Sequence, residues 1–510
     1  MPHSEFASAH EERRDAALAM GGPKKLQARA DKGELNARER VDVLFDKESF
    51  RESGLFATSQ FDSDRHATPA DGKVTGTGEI DGRTAGVIAY DFTVKGASSG
   101  NVSNKKMAYM KAMAAQRGLP LVYLAESTGV RMPDIMGGTG MGGGNEKTRF
   151  LRRRESPWVS AVFGYAFGSA AWHTVSSDFA VFRKGAVMAV SSPGLVSRAT
   201  GQTVDREELG GWKVHSRITG FADAVADSDE EAIELVKTFL SYLPSHNGEA
   251  PPVAAVSPGS GQKAQELTEI VPVSRAQVYD MRKVVDIIAD TDSVFPIKAA
   301  FAKNMITSLV RIDGRSVGVV ANNPMFKGGA IDTDAIDKVI SFLVLCDSYN
   351  IPLVFLVDQP GFLIGLEAEH GRAAGKIINW MNALALVTVP TATVMLRKNY
   401  GQAYANMGGG LTTDAAAAWW TAEISFMDPR SAVGVVHGID PDKDPEAFER
   451  RFDEMAREST GYDAARVFGV QEVIDPADTR RFLIDSLRDH QLRRTHGVGE
   501  HLLSSWPTSW

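Results

Sequence analysis

The sequence predicts an α/β protein built as two tandem domains related by internal duplication, and three observations carry that expectation. A stretch near the start of the chain recurs 232 residues later. Each copy sets short apolar, β-branched runs around a segment with helical spacing. A polar, breaker-rich segment separates the copies. At 510 residues the chain also exceeds what a single core ordinarily organises.

The repeat is read by aligning Ile80-Asp81-Gly82-Arg83-Thr84-Ala85-Gly86-Val87 with Ile312-Asp313-Gly314-Arg315-Ser316-Val317-Gly318-Val319. The same offset pairs Lys95-Gly96 with Lys327-Gly328, Leu119 to Leu124 with Ile351 to Leu356, and Gly129 with Gly361. About 15 of about 50 positions are identical without a gap, the mark of a duplicated unit. Val87-Ile88-Ala89 and Val319-Val320-Ala321 follow Asp-Gly turns and predict strands. Helices are expected over 105–117 and 335–349, followed by the continuous apolar strands Leu121 to Leu124 and Leu353 to Val357. Strand–helix–strand units with fully apolar strands point to a sheet covered by helices. Gly129 and Gly361 follow the second strand of each copy, where open α/β sheets bind ligands. Asp229 to Leu243 has helical spacing. Segments 245–252 and 257–262 hold the breakers, which predicts domains over 1–248 and 262–510.

Composition narrows the function classes. A net charge of −8 spread over this length argues against a broad nucleic-acid-binding surface. The single cysteine, Cys346, excludes an internal disulfide and a four-cysteine zinc site. Its apolar run predicts a buried, inert thiol. The first residues have no apolar signal core, and no apolar stretch reaches membrane-spanning length, so a cytoplasmic location is expected.

A second pair of motifs follows the duplication. Phe167-Gly168-Ser169-Ala170-Ala171 matches Tyr400-Gly401-Gln402-Ala403-Tyr404, each after an apolar run and at the start of an expected helix. Such a Gly-x-Ala turn presents free backbone N–H groups, the donors that hold an oxyanion. The alternative is a small-residue helix packed closely on a sheet. The spacing Gly138-Thr139-Gly140-Met141-Gly142-Gly143 resembles a dinucleotide loop but lacks the strand and helix that pattern requires, and reads as a loop. Residues 149–154 carry four arginines and read as a solvated or interfacial face. His173 and His370 are isolated and read as structural hydrogen-bonding residues. The sequence holds no recognisable nucleophile motif or metal-ligand cluster.

Denser motifs run from about residue 30 to about residue 497. They include Ala37-Arg38-Glu39-Arg40-Val41-Asp42, Asp91-Phe92-Thr93-Val94, Glu207-Glu208-Leu209-Gly210-Gly211, Asp358-Gln359-Pro360-Gly361-Phe362-Leu363 and Arg397-Lys398-Asn399-Tyr400-Gly401. In these the chain resembles the β subunits of propionyl-CoA carboxylase and related biotin-dependent acyl-CoA carboxylases. The resemblance implies two tandem crotonase-like domains, the ClpP/crotonase fold, assembled as a homo-hexamer. It implies acyl-CoA on the N-terminal domain and biotin, as carboxybiotin, against the C-terminal domain of a neighbouring subunit. The backbone amides of the pair Gly168-Ser169, with Ala170 following as a further catalytic candidate, would hold the thioester oxygen. The amides of the pair Gln402-Ala403, with Gly401 ahead of it as a further catalytic candidate, would hold the biotin ureido oxygen. Gly328, Gly329, Pro360, Gly361, Phe362, Tyr404 and Ala405 become substrate-binding candidates. No metal is implied.

This sequence departs from the family pattern at several of these places. Ser169 and Gln402 stand where the family has glycine, and Ala405 where many members have an acid. The loop from Gly365 to Gly375 is shorter, and Trp419-Trp420 replaces Trp-Pro. Ala405 leads to the expectation of a bulkier or less polar acyl group than propionyl. No biotinylation segment of the Ala-Met-Lys-Met type and no ATP-grasp-like region is found, so a partner chain with biotin carboxylase and biotin carrier is expected. The alternatives are a biotin-dependent decarboxylase or transcarboxylase subunit, a crotonase-type hydratase or isomerase with an acidic base pair, and a non-catalytic scaffold.

Overall fold

The computed structural model describes residues 3–138, 151–491 and 497–507. The chain divides into two compact units, Met1–Ser241 with Ser245–Asn247 and Tyr242–Pro244 with Gly248–Trp510.

In unit 1 the described strands are β1 (Arg51–Glu52), β2 (Lys73–Ile80), β3 (Arg83–Tyr90), β4 (Leu121–Ser127), β5 (Trp158–Phe167), β6 (Phe179–Arg183), β7 (Val187–Ala189) and β8 (Ala224–Ala226). They form one sheet in the order β1-β2-β3-β4-β5-β6-β8, with β7 added to the end of β5. In unit 2 they are β9 (Phe295–Ile297), β10 (Met305–Ile312), β11 (Arg315–Asn322), β12 (Leu353–Gln359), β13 (Thr391–Tyr400), β14 (Ala415–Trp419), β15 (Glu423–Ser425) and β16 (Glu472–Ile474). Their order is β9-β10-β11-β12-β13-β14-β16, with β15 added to β13. The two sheets share one plan: an antiparallel hairpin, then parallel strands.

The local causes repeat too. Both hairpins close on two-residue Asp-Gly turns with positive φ at both positions, 49° and 75° at Asp81-Gly82 and 54° and 74° at Asp313-Gly314. This is the mirror-image turn that matches strand twist and favours glycine. A carboxylate from outside each hairpin accepts both turn N–H groups, Asp46 in unit 1 and Asp290 in unit 2. β4 and β12 are buried at every residue, as expected for strands covered on both faces. A register shift interrupts each at matching places, Ala125/Ser127 against β5 and Val357/Gln359 against β13.

The crossover helices span Asn101–Arg117 and Thr333–Ser348. Each starts earlier than its apolar spacing suggested. Polar anchors supply the extra residues: Asp71 accepts the Ser103 N–H at 2.7 Å and Asp332 accepts the Ala335 N–H at 2.8 Å. One lysine on each helix reaches the loop ahead of the hairpin. Lys106 Nζ donates to the carbonyls of Gly54, Ala70 and Lys73, at 2.5 to 3.0 Å. Lys338 Nζ donates to those of Lys298, Phe301 and Met305, at 2.8 to 2.9 Å. Burial pushes the lysine pKa down to about 8 at Lys106 and about 7 at Lys338.

Cys346 is buried and free, and burial holds its pKa well above the ordinary thiol value. Among the described residues no helix is long and apolar enough to cross a membrane.

Candidate functional site

Each unit ends its fifth or thirteenth strand in a donor turn. In unit 1, β5 runs into Gly168, whose φ of 60° and ψ of −124° lie outside the range open to most side chains. The helix Ser169–Val175 begins there, and its first internal bond is Trp172 N–H to Gly168 O at 3.1 Å. The N–H groups of Ser169 and Ala170 precede that bond and have no acceptor within the helix. Ser169 is buried, and its Oγ makes no hydrogen bond among the described residues. Gly129 closes against this turn: a Cβ at Gly168 would lie 3.8 Å from Gly129 Cα.

In unit 2, β13 runs into Gly401 at φ 66°. Gln402 is helical in conformation, and a single turn, Ala403–Asn406, follows. Tyr404 N–H bonds Gly401 O and Ala405 N–H bonds Gln402 O, both at 3.1 Å. Among the described residues the N–H groups of Gln402 and Ala403 are left as the free pair. The Gln402 side chain is exposed, with Nε2 3.7 Å from Met381 Sδ. Tyr404 OH donates to Gly469 O at 3.3 Å, and its ring packs on Gly409, where a Cβ would come within 2.5 Å. Ala405 is half-buried, and its carbonyl accepts from Thr412 Oγ1 at 3.0 Å.

A backbone ladder braces the loops beside each turn. Ser99 N–H donates to Gly129 O and Arg131 N–H to Ser99 O, at 2.9 and 2.8 Å. The counterparts, 232 residues on, are Ile331 to Gly361 at 3.1 Å and Leu363 to Ile331 at 2.7 Å. Pro360 is exposed beside this ladder. Phe362 meets Trp380 edge-on at 6.3 Å. Gly328 and Gly329 form the facing turn, and a Cβ at Gly329 would meet Asp358 O at 2.5 Å. Thus Gly328, Gly329, Pro360, Gly361 and Phe362 share one loop pair. Gln402, Ala403, Tyr404 and Ala405 lie on the turn after the adjacent strand.

Ion pairs missed from sequence sit under both turns. At the bulge of β4, Glu126 takes Arg29 Nη2 at 2.8 Å and Arg40 Nη1 at 2.7 Å. Burial raises its pKa, but Arg40 and Arg29 outweigh that and hold it below the ordinary carboxylate value. At the bulge of β12, Asp358 takes Arg397 Nε at 3.0 Å, with Lys398 Nζ 3.4 Å away. Burial pushes Lys398 down. Both bulge carboxylates are therefore committed to cations, and neither has the paired-acid arrangement that a hydratase reading needs. His173 is buried, stacked on Tyr123 at 5.1 Å, with Nδ1 3.4 Å from Tyr90 OH. His370 is exposed at a helix end and makes no hydrogen bond among the described residues.

Two further expectations meet different outcomes. The segment Gly138-Thr139-Gly140-Met141-Gly142-Gly143 lies, apart from Gly138, outside the described residues, as do Arg149 and Phe150. The reading of a solvated arginine face is corrected at two positions. Arg152 and Arg154 are buried and paired with Asp178, and Arg152 lies over the Trp158 ring at 4.0 Å. Only Arg153 of the three is exposed. Arg152 and Arg154 turn inward to Asp178, Arg154 from a positive φ of 49°, while Arg153 turns outward, which a count of charges does not reveal.

Similarity to known proteins extends over nearly all of this architecture. The carboxyl transferase domain family matches residues 28–495. The chain is 37% identical over 490 residues to the propionyl-CoA carboxylase carboxyltransferase subunit of Haloferax mediterranei, covering 94% of each chain. It is 32% identical over 493 residues to the methylmalonyl-CoA decarboxylase subunit alpha of Veillonella parvula, covering 94% of this chain and 96% of that one. Its fold matches a crystal structure of the transcarboxylase 12S hexamer with methylmalonyl-coenzyme A and methylmalonic acid bound. The TM-score is 0.89 at 33% identity, over 97% of this chain and 96% of that one. With two tandem crotonase-like units and a match along almost its whole length, the chain belongs to the carboxyl transferase domain family and is an enzyme of that class.

Proposed function

We propose that this chain is the carboxyltransferase subunit of a biotin-dependent acyl-CoA carboxylase, moving a carboxyl group between carboxybiotin and the α-carbon of an acyl-CoA. The observation that carries this reading is the pair of donor turns at equivalent strand ends of the duplicated units, Gly168 to Ala170 and Gly401 to Ala403. Two turns suit a reaction in which two carbonyl oxygens gain charge in turn.

Unit 1 takes the acyl-CoA. As the α-carbon loses its proton, charge gathers on the thioester oxygen, and the N–H groups of Ser169 and Ala170, turned by Gly168, hold that enolate. Unit 2 takes biotin, with the Gln402 and Ala403 N–H groups on the ureido oxygen. Those two donors would steady the charge that oxygen gains when the carboxyl group leaves the ureido nitrogen, and the positive φ of Gly401 lets the backbone turn them outward. Bound carboxybiotin supplies the carboxyl group as CO2 and a ureido nitrogen that takes the α-proton. The protein's share is orientation and charge stabilisation, which needs no side-chain base. Gly328, Gly329, Pro360, Gly361, Phe362, Tyr404 and Ala405 line the biotin and acyl approaches, and the small Ala405 leaves room for an acyl group bulkier or less polar than propionyl.

A partner chain with biotin carboxylase and biotin carrier functions delivers the biotin. The subunits act as a homo-hexamer, in which unit 2 of one copy serves unit 1 of another. The partner's chemistry sets whether the half-reaction runs towards carboxylation or decarboxylation, because a catalyst speeds both.

The test mixes purified protein with free biotin and a panel of α-carboxylated acyl-CoAs, and follows loss of the carboxyl group by mass spectrometry. Loss that depends on biotin and selects among acyl groups is expected. A folded protein that decarboxylates no member of the panel, or does so equally without biotin, overturns the reading.

A further inference from the structure

The carbonyl just ahead of the second donor turn is held by a buried side chain that unit 1 lacks. Gln359 ends β12, and Asn399 lies opposite it on β13. Both are fully buried. Gln359 Nε2 donates to Asn399 Oδ1 at 2.6 Å and to Tyr400 O at 3.1 Å. The Tyr400 carbonyl fixes the sense of the Gln359 amide, since a flipped amide would set two acceptors against each other. The same peptide is held at its far side, where Gly401 N–H donates to Ser425 O at 3.1 Å. A planar peptide pinned through both its oxygen and its nitrogen leaves the rotations of Gly401 to aim the Gln402 N–H, and those of Gly401 and Gln402 together to aim the Ala403 N–H.

The duplication supplies the control. The positions equivalent to Gln359 and Asn399 are Ser127 and Ala166, opposite each other at the same bulge. Ser127 Oγ turns instead to Ala97 O at 2.9 Å, and Ala166 has no polar group to offer. Packing alone does not account for the amide pair. Gln359 Oε1 and Asn399 Nδ2 are buried with no hydrogen-bond partner among the described residues, a cost that an apolar pair of the same shape avoids.

We propose that Gln359, braced by Asn399, is a positioning residue for the unit 2 donor turn. It aims the Gln402 and Ala403 N–H groups and thereby sets the affinity for the biotin ureido oxygen, touching neither substrate. This rests on the reading that the unit 2 turn holds biotin.

The experiment measures binding of free biotin and of one acyl-CoA by equilibrium dialysis, on full-length wild type, Gln359→Met and Asn399→Ala. The kinetic KM of each substrate is measured in parallel. Gln359→Met is expected to weaken biotin about tenfold while acyl-CoA stays within about twofold, the loss of one aimed hydrogen bond. Asn399→Ala, which keeps the bond to Tyr400 but removes the brace, is expected to weaken biotin about threefold. If Gln359→Met does not fold, the biotin-to-acyl-CoA ratio of Asn399→Ala decides. Unchanged biotin affinity, or equal weakening of both ligands, overturns the inference and leaves the proposed function standing. A folded wild type that binds acyl-CoA and no biotin overturns both.

Discussion

The two units place a buried carboxylate at the same bulge and neutralise it in different ways. Glu126 and Asp358 are 232 residues apart and lie between matching register shifts. In unit 2 the cation comes from the next strand: Arg397 binds Asp358 and spans to the carbonyls of Pro272, Ser274 and Gln277 at 2.7 to 3.0 Å. The equivalent of Arg397 in unit 1 is Gly164, where even a Cβ would lie 2.7 Å from Glu126 Oε1. There the cations come from the N-terminal helices, as Arg29 and Arg40. Arg40 also binds Asp229 at 2.8 Å, and Asp229 in turn takes Arg183 at 2.9 Å. Duplication thus preserved the place for a charge, while each unit found its own partner for it. Unit 1 spread the charge over a network, and unit 2 concentrated it on one arginine.

That contrast predicts unequal losses. Arg397→Met leaves Asp358 with the more distant Lys398 Nζ as its cation, and three carbonyls without their donor. It is expected to cost about 3–5 kcal/mol, the usual penalty for stranding a buried charge. Arg40→Met leaves Glu126 with Arg29 and Asp229 with Arg183, and is expected to cost about 1–3 kcal/mol. Urea unfolding of both variants measures the difference. Equal losses would mean that the unit 1 network shares no load.

The twin lysines sharpen the same comparison through pH. Burial lowers Lys338 to about 7, with the charge of Lys298 adding to the effect. Burial lowers Lys106 only to about 8, because Glu52 and Asp71 oppose it. Unfolded, each lysine returns to its ordinary value of 10.5. Between the folded and unfolded values the unfolded chain binds the extra proton, so stability rises with pH. The rise begins near pH 7 for Lys338 and near pH 8 for Lys106, at up to about 1.4 kcal/mol per pH unit for each. Lys338→Met is expected to flatten unfolding free energies measured at about pH 7 to 8, and Lys106→Met to flatten mainly the range above about pH 8. Indistinguishable profiles would remove this difference between the units.

Much of the fold was legible because duplication leaves a constant offset wherever the backbone cannot change. The Asp-Gly turns, the buried strands and the Gly129/Gly361 ladders all kept it. Lys106 and Lys338 kept it too, as one of the identities inside the aligned stretch, though identity alone does not show what the side chain holds. The site was legible only as backbone: Gly168 and Gly401 signal their turns, because few other residues adopt those angles. What stayed hidden depends on contacts between distant segments. Nothing local to Arg29 or Arg40 marks Glu126, which lies 97 and 86 residues away. The bond between Gln359 and Asn399 likewise depends on which strands are neighbours. Arg152 and Arg154 were misread because charge was taken to mean exposure, whereas Asp178 waits for both.

The smallest expected effect comes from the one rung at which the ladders differ. Thr128 N–H donates to Gly96 O at 2.9 Å, and its Oγ1 reaches the same oxygen at 3.2 Å. The equivalent residue in unit 2, Pro360, has no N–H to give, yet the flanking bonds of Ile331 and Leu363 persist around it. The backbone there accepts proline, and Ser127, as a strand residue, already has the extended conformation that proline demands of its predecessor. Thr128→Pro would lose a hydrogen-bonded rung worth about 0.5–1.5 kcal/mol. It would regain about 0.4–1 kcal/mol by restricting the unfolded chain. The expected net change is a loss below about 1 kcal/mol, read by thermal unfolding. A loss of several kcal/mol would show that the loops differ in backbone path as well as in composition, and that unit 1 cannot adopt the geometry its twin uses.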